Sequence, residues 1–228
     1  MKTTRPSIDH LILHLQTNSF FSGLDEPTLQ EMARGTLWRE YSAGEVVVLE
    51  GEASPGLYYL HYGWLKVMKI SPDGREQVLR FLEPGETFNE VGVFANQPNP
   101  ATAIALEAAG VWLIRRDAIK QLLRERPDFV EDVLAKMAGR LLHLVSLVTD
   151  LSLRPVTARL ARLLLQDTTD DVLHRPNWYT QAELAARLGT VPDVVQRALR
   201  NLKKEGLIEV QRRQIHIRDR RALEKIAA

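Results

Sequence analysis

The chain has 228 residues, no cysteine, 26% charged residues and a formal net charge of +1. Its length fits one large domain or two small ones. The lack of cysteine excludes disulfides, thiolate metal sites, cysteine-ligated iron–sulfur clusters and cysteine nucleophiles. The charge is unevenly placed: residues 1–150 hold 15 Lys and Arg against 20 Asp and Glu, and residues 151–228 hold 15 against 9, giving −5 and +6. An acidic front and a basic back suit a protein whose second half meets a polyanion. The opening MKTTRPSIDHLILHLQ has only a short apolar run broken by histidines, so no secretory signal is expected. With no run near the roughly 20 apolar residues that span a bilayer, a cytoplasmic protein without membrane contact is expected.

From Leu37 to Arg116, short alternating apolar runs such as GEVVVLEGE and ATAIALEAAGVWLI are punctuated by glycine. Pro72-Asp73-Gly74 reads as a hairpin turn. Strands at this spacing predict an antiparallel barrel or sandwich, flanked by helices over Leu24–Arg34 and Arg116–Leu123. From Val130 the pattern becomes helical. Val130, Leu134, Met137, Leu141, Leu144, Val148 and Leu151 follow spacings of 4, 3, 4, 3, 4 and 3, a heptad seam suited to pairing with a second copy. A second apolar set, Val133, Ala138, Leu142, Val145 and Leu147, is expected to pack on the barrel. The helix should stop near Leu153, because the residue before Pro155 is pushed away from α geometry.

The last third carries the densest local signals. Thr180-Gln-Ala-Glu183 is a capping box opening QAELAARLG, with Gly189 suited to end the helix. Thr190-Val-Pro-Asp193 repeats the pattern and opens DVVQRALRNLKKEG, with Pro192 in the first turn. Two helices joined by a short glycine-containing turn are the helix-turn-helix layout. LIEV, QRR and QIHI then predict a two-stranded wing, and DRRALEKIAA a closing helix capped by Asp219. The overall expectation is an α+β chain: a β-roll or jelly-roll sensor domain with N-terminal helices over 1–125, a dimerisation helix over 126–153, and a winged helix-turn-helix domain over 154–228.

In order along the chain, FFSGLDEPTL, YSAGEVVVLEGE, LYYLHYGWLKV, PDGREQVLRFLEPGETF, ATAIAL, PVTARLARLLL and TQAELAARLGTVPDVVQRALRNLKKEGLIEV resemble the Crp/Fnr family of bacterial transcription regulators. The resemblance covers roughly residues 20–226. It implies a cyclic-nucleotide-binding-type β-roll, a long dimerisation helix and a winged helix. The implied function is sequence-specific DNA binding by a homodimer that regulates transcription, as activator or repressor, with RNA polymerase as a further partner.

In such a recognition helix the first two turns face base edges. Arg197 leads the candidates, since a guanidinium pairs bidentately with guanine. The family usually has glutamate, then serine–arginine, where this chain has Asp193, Gln196 and Arg197. Asp193 is open to a cytosine amino group or to a purely capping role, and Gln196 to adenine or phosphate. Thr180, Gln181, Thr190, Pro192, Arg200, Arg212 and Arg213 complete the expected DNA-facing set, chiefly as phosphate contacts.

The resemblance weakens at the sensor pocket. Glu90 matches the family's cyclic-AMP-binding members, but Asn89 replaces a glycine, and Pro100 or Ala101 stands where those members have the phosphate-neutralising arginine. Thr102 lies beside that place. On the long helix, Leu144 and Val145 replace the polar pair that meets the purine. An anionic phosphate without its cation is costly to bury, so cyclic AMP is not expected by that mode. The pocket is open to haem, to a hydrophobic metabolite or to no effector. His14, His61 and His143 are the haem-ligand candidates by residue type. His10 and His14 have the i, i+4 spacing of a helical metal pair, but without a third ligand nearby in sequence the pair reads as coincidence, and no metal site is expected. Rival readings are a β-barrel metal-dependent enzyme, which needs a His/Glu cluster on the barrel strands, and a protein-interaction module.

Overall fold

The structure is a computed structural model that describes residues 5–18 and 20–227. Its packing divides the chain into two units: one runs up to Val67 and includes Phe81–Leu142, and the other comprises Met68–Arg80 and everything from His143 onward.

The first unit opens with α1 (Ile8–Thr17), where the Ser7 hydroxyl accepts from the His10 amide at 3.2 Å. In α2 (Glu26–Arg34) the Asp25 carboxylate accepts from the Thr28 amide at 2.9 Å; both caps satisfy amides that the first turn leaves without partners. There follow β1 (Leu37–Tyr41), β2 (Val46–Val48), β3 (Gly56–Tyr62), β4 (Leu65–Ile70), β5 (Glu76–Leu82), β6 (Thr87–Phe88), α3 (Glu90–Phe94), β7 (Thr102–Ala105), β8 (Ala109–Arg115), α4 (Arg116–Glu125) and α5 (Pro127–Leu153). Two four-stranded sheets result, ordered β1-β8-β3-β6 and β2-β7-β4-β5. This is the antiparallel β-roll that the glycine-punctuated runs predict.

Two-residue alternation places the core. On β8, Val111 and Leu113 point into the roll with Leu60, Leu65, Phe88 and Ala103, whereas Trp112 and Ile114 point out to the helices. On β3, Tyr58 and Leu60 face inward, and Leu57 and Tyr59 face outward. The outer layer packs against Leu11 and Leu15 of α1, Leu29 of α2, Ile119 of α4, and Phe129 and Val133 of α5. Each large apolar side chain so buried contributes roughly 1.5–3 kcal/mol.

The long helix starts at Pro127, three residues before the first seam residue, and ends at Leu153 as the Arg154-Pro155 pair requires. Val133 of the second apolar set is buried, but Leu142 is 70% exposed and Val145 is 55% exposed. The expectation that this whole set packs on the barrel is therefore corrected: within the first unit Val133 does so, while Ala138 and Leu142 are exposed.

In the second unit the β4–β5 hairpin turns at Pro72-Asp73-Gly74, with the Ser71 amide donating to Arg75 O at 2.9 Å. Gly74 has φ +81°, a conformation that favours glycine. Asp150 near the end of α5 pairs with Arg154 at 2.5 Å and Arg162 at 3.4 Å, tying α5 to α6 (Val156–Asp167). After β9 (Val172–His174) come α7 (Gln181–Leu188), α8 (Pro192–Lys204), β10 (Ile208–Val210), β11 (Gln214–Ile217) and α9 (Arg220–Ala227). The Asp219 carboxylate accepts from the Ala222 amide at 2.9 Å, as its capping role requires. The wing sheet is three-stranded, in the order β10-β11-β9. Sequence reading left β9 inside a polar connection, because only Val172 and Leu173 are apolar there.

Candidate nucleic-acid interface

The local geometry of α7 and α8 follows from their caps. Thr180 accepts from the Glu183 amide at 3.2 Å, which is the backbone-facing half of the predicted box. Gly189 ends α7 at φ +61°, and a Cβ there would lie 2.5 Å from Leu151 Cδ2, so only glycine suits this turn. The second predicted box is corrected. The residue flanking α8 is Val191, not Thr190, and it makes no side-chain cap. Pro192 sets the start of the helix instead.

Helix α8 buries Val195, Ala198, Leu199 and Leu202. That fixes its roll and leaves Asp193, Gln196, Arg197 and Arg200 exposed on the opposite side. The helix is in turn held by α7, whose Arg187 makes a two-pronged contact with Asp167 of α6 and lies 3.4 Å from the Tyr179 hydroxyl. Burial is the largest single influence and opposes the Arg187 charge, but the hydrogen bond it donates to Asp167, together with its other interactions with Asp167 and Tyr179, outweighs burial and holds the guanidinium's pKa above its ordinary value.

A second cluster of cations lies beside the start of α7. A cleft of about 170 Å³ is lined by Arg175, Pro176, Tyr179, Thr180, Arg212 and Arg213. The Arg175 amide donates to Arg213 O at 2.8 Å, bringing the segment after β9 against the wing turn. Thr180, Arg212 and Arg213, far apart in sequence, thus converge on one concave surface. Gln181 is exposed next to Thr180, while Thr190 is half-buried behind the turn. Arg175 was missed because its place depends on the unrecognised strand β9.

In the β-roll, Asn89 adopts φ +71° and donates to Ser54 Oγ at 2.9 Å and Gly56 O at 3.2 Å. Glu90 is 2% exposed and forms an ion pair with Arg140 of α5, which also donates to Thr87 O at 3.0 Å. Arg140 was not among the expected residues; its link to Glu90 spans fifty positions and leaves no local pattern. Ala101 and Thr102 are buried, and the Thr102 hydroxyl accepts from the Glu50 amide at 3.1 Å. Leu144 and Val145 are exposed on α5, as are Leu134, Leu141 and Val148 of the seam; Val130, Met137 and Leu151 are half-buried.

The structure also gathers three of the histidines. His61 lies with its ring centroid 5.2 Å from that of His10 and 5.3 Å from that of His14. The third partner that the sequence did not show near the His10–His14 pair therefore comes from β3. Burial, with the two neighbouring imidazoles, lowers the His61 pKa to about 4, and burial with His10 lowers that of His14. His143 belongs to the second unit, its Nε2 3.2 Å from Leu79 O.

Residues 38–126 match the family model of the cyclic nucleotide-binding domain, and residues 158–226 match that of the Crp-like helix-turn-helix domain. The chain belongs to the Crp/Fnr family. Among its relatives, the CRP-like cAMP-activated global transcriptional regulator of Mycobacterium tuberculosis is 26% identical over 91% of this chain and 95% of its own length. The cAMP-activated global transcriptional regulator CRP of Pasteurella multocida is 28% identical, covering 80% and 90%. The fold matches the structure of FixK2 from Bradyrhizobium japonicum with a TM-score of 0.73 at 24% identity, over 85% of this chain and 98% of that one. Among the described residues, no helix of this Crp/Fnr member is long and apolar enough to cross a membrane.

Proposed function

We propose that this Crp/Fnr member is a homodimeric DNA-binding transcription regulator in which α8 reads base edges and the wing cleft grips phosphate. The observation that carries the reading is the two-sidedness of α8: its apolar side is locked into the domain, and Asp193, Gln196, Arg197 and Arg200 are left free to enter a major groove. Arg197 is assigned to guanine, Gln196 to adenine or phosphate, and Asp193 to a cytosine amino group. Thr180, Gln181, Arg175, Arg212 and Arg213 supply phosphate contacts that fix register without reading sequence. Pairing through α5 would present two α8 helices to an inverted repeat, with half-sites about one helical turn apart. RNA polymerase is the further partner proposed for transcriptional output.

The effector is assigned to the β-roll side, around Asn89, Glu90, Ala101 and Thr102, with Leu144 and Val145 of α5 as the candidate response face. The relatives are named for activation by cyclic AMP, but the segment 98–103 here offers no cation. The buried Glu90 is ion-paired through one oxygen with Arg140. Cyclic AMP held by a phosphate arginine in that segment is therefore not the proposed mode. Signal transmission is assigned to a change in α5 register or at the Leu151–Pro155 junction.

Fluorescence anisotropy of a labelled operator duplex against salt concentration tests the phosphate assignment. The double variant Arg212→Ala, Arg213→Ala should reduce the slope of log affinity against log salt by about 2, roughly one for each lost contact. An unchanged slope rules out the wing cleft as a phosphate clamp.

A further inference from the structure

The three clustered histidines come from two elements whose faces are fixed by the core. On α1, the buried Leu11 and Leu15 set the roll, and His10 and His14 sit one position before each, one turn apart on the same edge. Their Nε2 atoms are 3.2 Å apart. On β3 the pairing with β8 runs Leu60 to Val111 and then Tyr62 to Gly110, so His61 is the extra residue of a β-bulge. A bulge frees a residue from the ladder and re-aims its side chain. Beside the bulge only glycine fits on β8, since a Cβ on Gly110 would lie 2.3 Å from both the Trp38 and the Tyr62 rings.

We propose that His10, His14 and His61 bind one late first-row divalent cation of the zinc, cobalt, nickel or copper type. One ligand nitrogen from each of the three lies within 4.8 Å of the others. Tetrahedral coordination at metal–nitrogen bonds of 2.0–2.1 Å separates ligand nitrogens by about 3.3 Å. The His10–His14 pair already has that separation, and the His61 ring closes the remainder by a shift of about 1.5 Å at most. Three imidazoles without a carboxylate select these metals over magnesium or calcium. A hydrogen bond between His10 and His14 would satisfy that pair alone. His61 Nδ1 is buried with no hydrogen-bond partner among the described residues. The set supplies three ligands on one side, leaving a position for water or an exogenous ligand. A bound ion would staple α1 to the outward face of β3, in the layer that holds the N-terminal helices on the roll. The Trp38 ring lies 5.7 Å from His61, so it reports on an open-shell ion placed there.

The test uses the full chain without an affinity tag, stripped by chelator and titrated with Co²⁺, with tryptophan fluorescence and dialysis stoichiometry as readouts. One ion per chain is expected, with saturable quenching that Trp38→Phe diminishes. His10→Ala, at an exposed position that folding does not need, and His61→Ala should each weaken binding by more than about a hundredfold, beyond the loss that outer-shell partners cause. His143→Ala should bind as the parent does. The proposal is overturned by the absence of saturable binding, or by wild-type affinity and stoichiometry in the His10→Ala chain.

Discussion

Leu141 projects from α5 with 62% of its surface exposed, and Leu134 and Val148, on the same seam, are each 62% exposed as well. A contiguous exposed apolar stripe of this kind marks an interaction surface. Fully burying a leucine contributes roughly 1.5–3 kcal/mol, so the fraction still exposed on Leu141 is worth about 1–2 kcal/mol per chain. A symmetric dimer contains the contact twice. Leu141→Ala should therefore weaken the dimer by about 2–4 kcal/mol, or roughly thirtyfold to several hundredfold in dissociation constant. Sedimentation equilibrium across a concentration series measures this directly. Leu142→Ala is the control, since Leu142 is 70% exposed but lies off the heptad seam. If Leu142→Ala dissociates the dimer while Leu141→Ala does not, the seam drawn from the heptad is wrong.

Other consequences concern single contacts. Arg187→Met strips the guanidinium from the largely buried Asp167 and should cost about 2–4 kcal/mol by chemical denaturation; Arg187→Met with Asp167→Leu should recover most of that loss. Arg140→Ala leaves the Glu90 carboxylate without its guanidinium and should destabilise the chain by about 2–3 kcal/mol, a loss that Glu90→Gln partly reverses. The Asp25 carboxyl sits below its ordinary pKa because the Thr28 hydroxyl and amide bond to it, with Arg126 adding to the effect. A carboxyl depressed in the folded state stabilises above its unfolded pKa and loses that contribution as pH falls through the folded one. Wild type should thus exceed Asp25→Asn in melting temperature above about pH 4 and converge with it below.

What the sequence made legible is what local chemistry determines. The Thr180 cap, the left-handed Gly189, the Pro72–Gly74 turn and the stop before Pro155 each depend on a few adjacent residues, and each was readable. The long helix α5 was readable because its apolar pattern runs unbroken over many turns. Contacts that depend on distant strands were not. Arg140 meets Glu90, and His61 meets His10 and His14, only after the roll has closed and α1 has docked. Val191 in place of Thr190 shows a local signal overridden by Pro192, whose fixed φ sets where α8 begins. Strand β9 escaped notice because pairing with β11, more than its own three residues, makes it a strand.

The central claim is that α8 reads DNA sequence through Arg197. Selection of the purified protein against a random duplex library, followed by sequencing of the retained fraction, tests it most directly. An inverted repeat with half-sites about one helical turn apart is expected, lost from the selection with Arg197→Ala while nonspecific retention persists. Retention of the same sequences by the Arg197→Ala protein, or enrichment without twofold symmetry, would contradict it.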